Sequence, residues 1–307
     1  MTKHQTILPK QIGDAHLRLL RIYKTVVDCH GFAAAEIELN ISRPAISQAI
    51  SDLEAILKMR LCSRGRAGFS VTEQGKIVYS ATLTLLSNIE DFRTQMNAIN
   101  SKLRGELNIG IMDSLVTMPH MRITRALAKL KEKGPDIIIN ISMLPPEKIE
   151  AGIIDGHLHV GIIPKHKTLT GLSYQDLYQE TSLLYCAKGH QLFEQDENCL
   201  KQLKLTETDA VTHLKLSSDE MGIAQANLLN SASSNGREGI AFLILSGSYI
   251  GYLPTHYAKQ WEDTNLLKTI QPSKYFYHTD VVTAKRKGAR ENVVLNEFMA
   301  CLKMSTN

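Results

Sequence analysis

GFAAAEIELNISRPAISQAISDLEAILKMRLCSRGRAGFSVT, residues 31–72, is the stretch that decides the fold of the N-terminal part of the chain. Gly31 closes one predicted helix, and a short Ala-rich helix follows it. Asn40 tolerates the left-handed conformation of a tight turn, Ser42 is placed to cap the next helix, and Pro44 fits that helix's first turn. The residues expected to face inward on the short helix are Ala34, Ile37 and Leu39.

The helix after the turn is predicted to be amphipathic. Its apolar stripe recurs at three- and four-residue intervals: Ile46, Ala49, Ile50, Leu53 and Leu57. Arg, Ser and Gln at the start of such a helix are residue types that contact base edges and phosphates in a DNA major groove. The residues predicted to do so are Arg43, Pro44, Ser47, Gln48 and Ser51.

A basic, glycine-containing segment follows this helix. Gly65 and Gly68 permit a tight hairpin, and the arginines on it, Arg60, Arg64 and Arg66, would lie along a sugar-phosphate backbone. We predict that Arg64 and Arg66 contact the backbone or the minor groove. The alternative is an ordinary surface helix with solvated arginines. The occurrence of all these features in order within residues 31–72 favours a winged helix-turn-helix.

At these positions the chain resembles the LysR-type transcriptional regulators. The segments that carry the resemblance are Ala34-Ala35, Ser42-Arg43-Pro44-Ala45-Ile46-Ser47, Leu53-Glu54, Leu61-Cys62-Ser63-Arg64 and Val71-Thr72-Glu73-Gln74-Gly75. Cys62 stands where the family usually has Phe, a difference that affects local packing. Arg43 replaces the frequent Gln and Gln48 the frequent Arg, which leaves open which bases are contacted.

Composition is that of a globular protein with a charge asymmetry. The 307 residues exceed one typical core, and 43% are hydrophobic and 21% charged. Residues 1–104 hold 14 Lys and Arg against 9 Asp and Glu, whereas the remainder holds 21 against 22. All of the excess positive charge therefore lies in the part that contains the motif, as expected for a partner with a phosphate backbone.

The sequence predicts a cytoplasmic protein. It has no apolar segment typical of a signal peptide or a membrane span. Five cysteines without paired spacing suit reduced thiols, and the alternative is a redox-sensing role for one of them: Cys29, Cys62, Cys186, Cys199 and Cys301.

Four segments are predicted in the chain. Residues 1–13 form a flexible extension, 14–72 the winged helix-turn-helix, 73–104 a linker helix that Thr72 caps, and 105–307 an effector domain. The linker helix carries a heptad seam: Leu85, Ile89, Phe92, Met96, Ile99 and Leu103. So narrow a seam favours a dimer contact over packing on the helix's own domain, and a dimer predicts a DNA site with approximate two-fold symmetry.

Beyond Gly105 the periodicity changes to alternating strands and helices. Strands at 107–111, 137–143 and 160–163, with helices at 119–133 and 146–154, form a βαβαβ pattern, which implies a parallel sheet. The second set is strands near 182–187, 210–214 and 249–253 and helices near 223–229 and 238–245. A last strand and helix at 275–284 and 291–304 could return to complete the first sheet.

The expected fold is α+β and multidomain. A winged helix-turn-helix and a long linker helix precede a C-terminal α/β domain of periplasmic-binding-protein type, which the family resemblance also implies. Its subdomain I is expected at about 105–164 and 271–307, and its subdomain II at about 165–270.

An effector is expected between these subdomains, beyond the carboxyl ends of the strands. Ser114 and Thr117 are the leading candidates, since family regulators commonly use hydroxyl residues here; their alternative role is helix capping. The further candidates are Leu144, Pro164, Lys165, His213 and Asn235. Apolar residues dominate these loops, which favours an apolar or aromatic effector with few polar anchors, and an effector could also be absent.

The expected function is sequence-specific, effector-controlled transcription regulation. Its partners are double-stranded DNA, a small molecule and a second copy of the chain; the resemblance implies a homotetramer, and RNA polymerase is a further candidate. The alternative is a cytoplasmic small-molecule-binding protein without promoter-specific regulation. An enzyme is disfavoured because the usual catalytic signatures and cofactor motifs are missing. His157 and His159, near His166, lack partners at metal-ligand spacing.

Overall fold

The structure is a computed structural model, and it describes most of the chain. The described residues are 12–65, 68–99, 103–165, 167–196, 200, 204–214, 219–288 and 292–304. They belong to two compact units, one within Met1–Glu90 together with Asp155–His157, and one within Asp91–Ile154 and Leu158–Asn307. Each unit has its own buried core.

The first unit is a three-helix arrangement with a hairpin and the part of a long helix up to Glu90. Its elements are α1 (Asp14–Asp28), α2 (Phe32–Leu39), α3 (Arg43–Leu57), β1 (Cys62–Gly65), β2 (Gly68–Val71) and α4 (Glu73–Ile99). Every residue of the predicted α3 stripe is buried, and Tyr23 and Val26 of α1 pack against it. Burying each large side chain of such a core stabilises the fold by about 1.5–3 kcal/mol.

The turn between α2 and α3 has the predicted backbone. Asn40 adopts φ 52° and ψ 39°, the left-handed conformation. The inward face of α2 differs from the prediction, because Ala35 is fully buried whereas Ala34 is exposed and Ile37 is 85% exposed. Eight residues make barely two turns, too few for the periodicity to identify one face.

The second unit alternates strands and helices. Its elements are β3 (Gly105–Ile111), α5 (Arg122–Lys133), β4 (Ile137–Met143), α6 (Pro146–Asp155), β5 (Val160–Pro164), β6 (Leu172–Ala187), β7 (Asp209–His213), α7 (Asp219–Gln225), β8 (Leu229–Ser234), α8 (Arg237–Leu245), β9 (Ile250–Pro254), α9 (Thr255–Glu262), β10 (Leu267–Thr269), β11 (Phe276–Arg286) and α10 (Val293–Met304).

These strands form one sheet of nine strands within the described residues, in the order β4-β3-β5-β11-β6-β9-β7-β8, with β10 also paired to β6. The predicted parallel pairing is confirmed, since β3 lies parallel to both β4 and β5. On the other side β7 lies parallel to β8 and β9. The long strands β6 and β11 pair antiparallel and connect the two halves.

Three strands were missed or shortened in the sequence analysis: β6, β8 and the three-residue β10. β6 begins at Leu172 rather than near residue 182, because its first part is polar and is ordered by pairing with β11. β8 (LNSASS) was not predicted, and the expected helix at 223–229 ends at Gln225. Serine-rich β8 has little strand propensity of its own, and its pairing with β7 overrides that preference.

Candidate functional site

The start of α3 presents the side chains that the sequence predicted for a nucleic-acid surface. Arg43, Pro44, Gln48 and Ser51 are exposed, and Ser47 is half-buried. The Gln48 side-chain amide donates to Asp52 Oδ1 at 2.8 Å, and the Ser51 hydroxyl donates to the Ser47 carbonyl at 2.9 Å. The helix therefore offers a polar face opposite its buried stripe.

The cap of α3 differs from the prediction. Ser42 occupies the N-cap position without a side-chain cap hydrogen bond among the described contacts. Instead, the Glu36 carboxylate of α2 accepts from the Arg43 main-chain N–H at 2.9 Å, and its second oxygen lies 3.6 Å from Arg43 Nε. An acidic group at a helix N-terminus is favourable because it faces unpaired N–H groups and the positive end of the helix dipole.

The hairpin after α3 has the predicted form. β1 and β2 pair antiparallel, with Arg64 opposite Phe69 and Gly65 opposite Gly68. The structure describes the main chain of Arg64, and Arg66 lies outside the described residues.

Thr72 joins the hairpin to α4, and its predicted capping role is confirmed. Its hydroxyl donates to the Arg60 carbonyl at 2.7 Å and accepts from the Gly75 N–H at 2.9 Å. The hairpin is therefore held at the end of α4.

The predicted seam on α4 is only partly covered within the chain. Phe92 is 57% and Met96 42% exposed, whereas Leu85 and Ile89 are half-buried. The described part of the helix ends at Ile99, whose side chain the structure does not describe. Leu103 follows the helix and packs against the core of the second unit, so its burial is already explained within one chain.

A polar cluster links the two halves of the second unit. Ser114, in the loop after β3, has φ 62°, and its hydroxyl accepts from Arg237 Nη1 at 2.8 Å. Asp113 Oδ2 accepts from the Arg237 main-chain N–H at 2.7 Å, at the start of α8. Thr117 Oγ1 lies 2.7 Å from Nδ1 of His256, which belongs to α9. The two predicted hydroxyl residues therefore lie together, in contact with groups from the other half.

Glu180 of β6 is the buried centre of this cluster. Its side chain is 0% exposed, it forms an ion pair with the Arg237 guanidinium, and Oε2 lies 3.2 Å from His256 Nε2. A buried carboxylate is costly unless it is compensated in this way. Burial raises the pKa of the adjacent Tyr277 phenol, which remains neutral at physiological pH.

The other predicted effector residues lie around the sheet in different settings. Leu144 packs against an apolar cluster that includes Ile149 and Ile163, and Pro164 pairs with Val281 at the end of β5. Lys165 is exposed and its amine lies 3.1 Å from Asp176 Oδ1.

On the second half, the predicted candidates lie near strand ends. The His213 N–H, at the end of β7, donates to Gln225 Oε1 at 3.1 Å. Asn235 is exposed and directly precedes Gly236, the N-cap residue of α8.

Glu180, Arg237 and His256 were missed in the sequence analysis. The signal for Arg237 existed, because it starts a helix directly after a strand, as Ser114 follows β3. It went unused because β8 was not predicted. Glu180 and His256 carry no such signal, since only the pairing of distant strands brings them to Arg237. The cluster that contains Ser114 and Thr117 is therefore charged, in contrast to the apolar surroundings expected there.

No group of three or more metal-ligating side chains occurs in the part of the chain that the structure describes, and His166 lies outside it. Burial raises the pKa of Cys186 to about 11, which disfavours the reactive thiolate that redox sensing needs. Cys199 is not among the described residues. Within these ranges, no helix combines the length and apolar character needed to cross a membrane.

The chain combines a winged helix-turn-helix, whose recognition helix begins with exposed polar residues, with a long helix and a two-part α/β domain. A polar cluster lies between the halves of that domain. This combination defines a ligand-responsive DNA-binding regulator. Family comparisons give the same class. Residues 17–76 match the profile described as "Bacterial regulatory helix-turn-helix protein, lysR family", and residues 100–306 match "LysR substrate binding domain". The chain belongs to the LysR family of DNA-binding transcriptional regulators, which are not enzymes.

Individual relatives agree with this assignment. The chain is 48% identical over 295 residues to the HTH-type transcriptional activator BauR of Pseudomonas aeruginosa, covering 96% of this chain and 97% of that one. The nitrogen assimilation regulatory protein nac of Escherichia coli is 26% identical, with 67% of each chain covered.

Solved structures share the fold. The LysR family regulator CbnR has a TM-score of 0.67 at 16% identity, with 95% of this chain and 99% of CbnR covered. Full-length CbnR in complex with its target DNA has a TM-score of 0.66 at 16% identity, with coverages of 94% and 99%.

Proposed function

We propose that this regulator is a transcriptional activator in the cytoplasm, controlled by a small molecule that binds at the polar cluster between the halves of its effector domain. The observation that carries the proposal is the 48% identity to an activator along almost the whole of both chains. Identity of this extent covers the DNA-binding and the effector-binding domains together, so both elements of the control system are shared.

For the DNA contacts, we propose that Arg43, Pro44, Ser47, Gln48 and Ser51 approach the major groove, and that Arg64 and Arg66 approach the backbone or the minor groove. The exposure of the polar face of α3 and its position beside the basic hairpin support this assignment. Base contacts from α3 would set sequence preference, and phosphate contacts from the hairpin would set overall affinity.

For the effector, the cluster favours a small molecule with a charged or strongly polar group over a wholly apolar one. Ser114, Thr117 and Arg237 would be its anchors, and Leu144, Pro164, Lys165, His213 and Asn235 would line the remaining cleft. A ligand that bonds to Ser114 or to the Arg237 guanidinium would compete with contacts that now join the two halves. Binding would therefore change the angle between the halves.

For assembly, we propose a homodimer through the α4 seam and, by analogy with the family, a tetramer of two dimers. Two exposed large apolar residues on the seam support the dimer. Two recognition helices would then contact a site with approximate two-fold symmetry. RNA polymerase would be a further partner of such an activator.

The experiment that tests the proposal is binding to DNA from the gene's own upstream region. Purified full-length protein is titrated into that fragment at two salt concentrations, with excess nonspecific competitor. Specific, salt-sensitive retardation supports the DNA-binding assignment. A genome-wide selection of bound fragments that returns no enriched sequence contradicts it.

Transcription in vitro from a bound promoter then tests the direction of control. Activation means that added protein raises transcript yield with RNA polymerase, and repression would lower it. A metabolite panel screened by thermal shift identifies the effector, and an R237M variant should lose the shift. Retention of the full shift by R237M would place the effector elsewhere.

A further inference from the structure

Arg43 is the charged residue at the start of the recognition helix α3, and it is not free of other contacts. The Glu36 carboxylate contacts both its main-chain N–H, at 2.9 Å, and its guanidinium group, at 3.6 Å. Glu36 belongs to α2, so the contact crosses the turn of the helix-turn-helix.

We propose that Glu36 is a specificity-determining positioning residue: it orients Arg43 and cancels its charge until base contacts replace the ion pair. This inference rests on the proposed placement of α3 in the major groove. Glu36 itself is not assigned a contact with the bases.

The charge of Arg43 sets the direction of the effect. A free arginine at a DNA-facing helix start attracts any phosphate backbone, whatever its sequence. An arginine paired with a carboxylate gains little from such a contact, because the pair is broken or the carboxylate is repelled. Only a site whose base edges bond to the guanidinium compensates for that loss. Glu36 should therefore weaken nonspecific binding more than specific binding.

The neighbouring Gln48, which is neutral, also contacts a carboxylate. Its amide donates to Asp52 Oδ1 at 2.8 Å, so a second predicted base-contacting side chain is also held by a carboxylate. The Asp52 carboxylate keeps its negative charge in this contact and therefore adds to the repulsion of phosphates at this face.

The test is a comparison of E36Q with the wild-type full-length protein. Glutamine keeps an oxygen that can accept from the Arg43 N–H, so the cap is retained while the charge is lost. Binding to a nonspecific duplex is measured from 50 to 200 mM salt. We expect the slope of log affinity against log salt to be steeper by about one in E36Q than in the wild type. The ratio of nonspecific affinity at 50 mM salt to that at 200 mM salt should then be about threefold larger in E36Q.

The matched control is E38Q, which removes the same charge from an exposed position on the same helix. The decisive control is the R43Q background, in which E36Q should have no further effect on the slope. E36D, which retains the charge, should keep a slope close to that of the wild type. An unchanged slope in E36Q, or an equal change with and without Arg43, would overturn the proposal.

Different results would contradict the proposed function and the proposed role of Glu36. If the wild-type protein selects no DNA fragment, the regulatory assignment fails, yet the nonspecific slope still tests Glu36. If the wild-type protein selects its site and E36Q selects it equally well against competitor, Glu36 does not determine specificity. Thermal unfolding of each variant confirms that the comparison is made between folded proteins.

Discussion

Asp113 Oδ2 accepts a hydrogen bond from the Arg237 main-chain N–H at 2.7 Å, across 124 residues of sequence. The carboxylate comes from the loop after β3 and the N–H from the first turn of α8, so the bond joins the two halves of the effector domain. It is supported by the Arg237 guanidinium, which reaches Ser114 and the buried Glu180. The cluster therefore contributes to stability as well as to the proposed control by a ligand.

Removing the guanidinium should leave a buried carboxylate poorly compensated. We expect R237M to lower the free energy of unfolding by about 3 kcal/mol, because Glu180 is fully buried. The double variant E180Q/R237M should recover part of that loss, since the uncompensated charge is removed. Urea unfolding at pH 7 measures both values.

The control for this prediction is an exposed ion pair in the same domain. K259M breaks the pair of Lys259 with Asp263, whose side chains are largely exposed, and should cost less than about 1 kcal/mol. Similar losses in R237M and K259M would show that the buried cluster has no special role in stability.

Substitutions in the hairpin and in the recognition helix should affect DNA binding in different ways. R64A should weaken binding to all sequences and make the salt slope shallower by about one, because it removes one phosphate contact. R43Q or Q48A should instead change which sequences are preferred, at a cost of about 1–3 kcal/mol at the affected base pair. Selection from a randomised duplex library, followed by salt titrations, measures both effects. Unaltered DNA affinity in all three variants would remove these residues from the interface.

The exposed seam on α4 should control assembly. F92E and M96E place a charge at positions where apolar side chains are exposed in one chain, and each should weaken dimerisation at least about tenfold. Sedimentation velocity over a range of concentrations measures the change. I77E is the matched control, because Ile77 is exposed on the same helix but lies off the heptad seam. Dimers of wild-type strength in F92E and M96E would assign the contact to another surface.

The free energy of unfolding should decrease below neutral pH because of His159. Its Nδ1 accepts from the Asn108 N–H at 3.0 Å, and burial lowers its pKa despite the opposing effect of Asp91. The unfolded chain begins to bind a proton near pH 6.5, whereas the folded protein does not, so stability is complete above that pH and is lost as pH falls.

The measurement is the free energy of unfolding in urea at pH 7.5 and 5.5 for the wild type and H159N. The Asn side chain has an oxygen that can accept from Asn108 and does not titrate. The wild type should lose more stability than H159N over this interval. Equal losses would show that His159 is not responsible, since the other buried histidines titrate in both proteins.

Local patterns in the sequence were sufficient for much of the fold. The α3 stripe was predicted residue by residue, because a long amphipathic helix repeats its pattern several times. Strand β4 coincides with the predicted residues 137–143, since it is apolar and clearly bounded. Asn40 and Thr72 were placed correctly because their conformational and capping preferences are local.

The features that could not be predicted depend on contacts between residues that are distant in the sequence. Glu180 lies in a polar part of β6 that is ordered by β11, almost a hundred residues later. Glu36 replaces Ser42 as the capping group of α3, and this follows from how α2 packs on α3 rather than from either helix alone. The predicted Ser114 and Thr117 lie in the cluster, but its charged centre required the three-dimensional pairing of strands.

The two long strands β6 and β11 impose a mechanical limit on the effector domain. Both run through the two halves, and their register shifts between Val281 and Val282, where a bulge increases the local twist. A loop would allow the halves to swing freely. A hydrogen-bonded pair of strands instead resists bending and deforms mainly by twisting. The two halves should therefore rotate relative to each other by a small angle, in a direction set by the twist of β6 and β11.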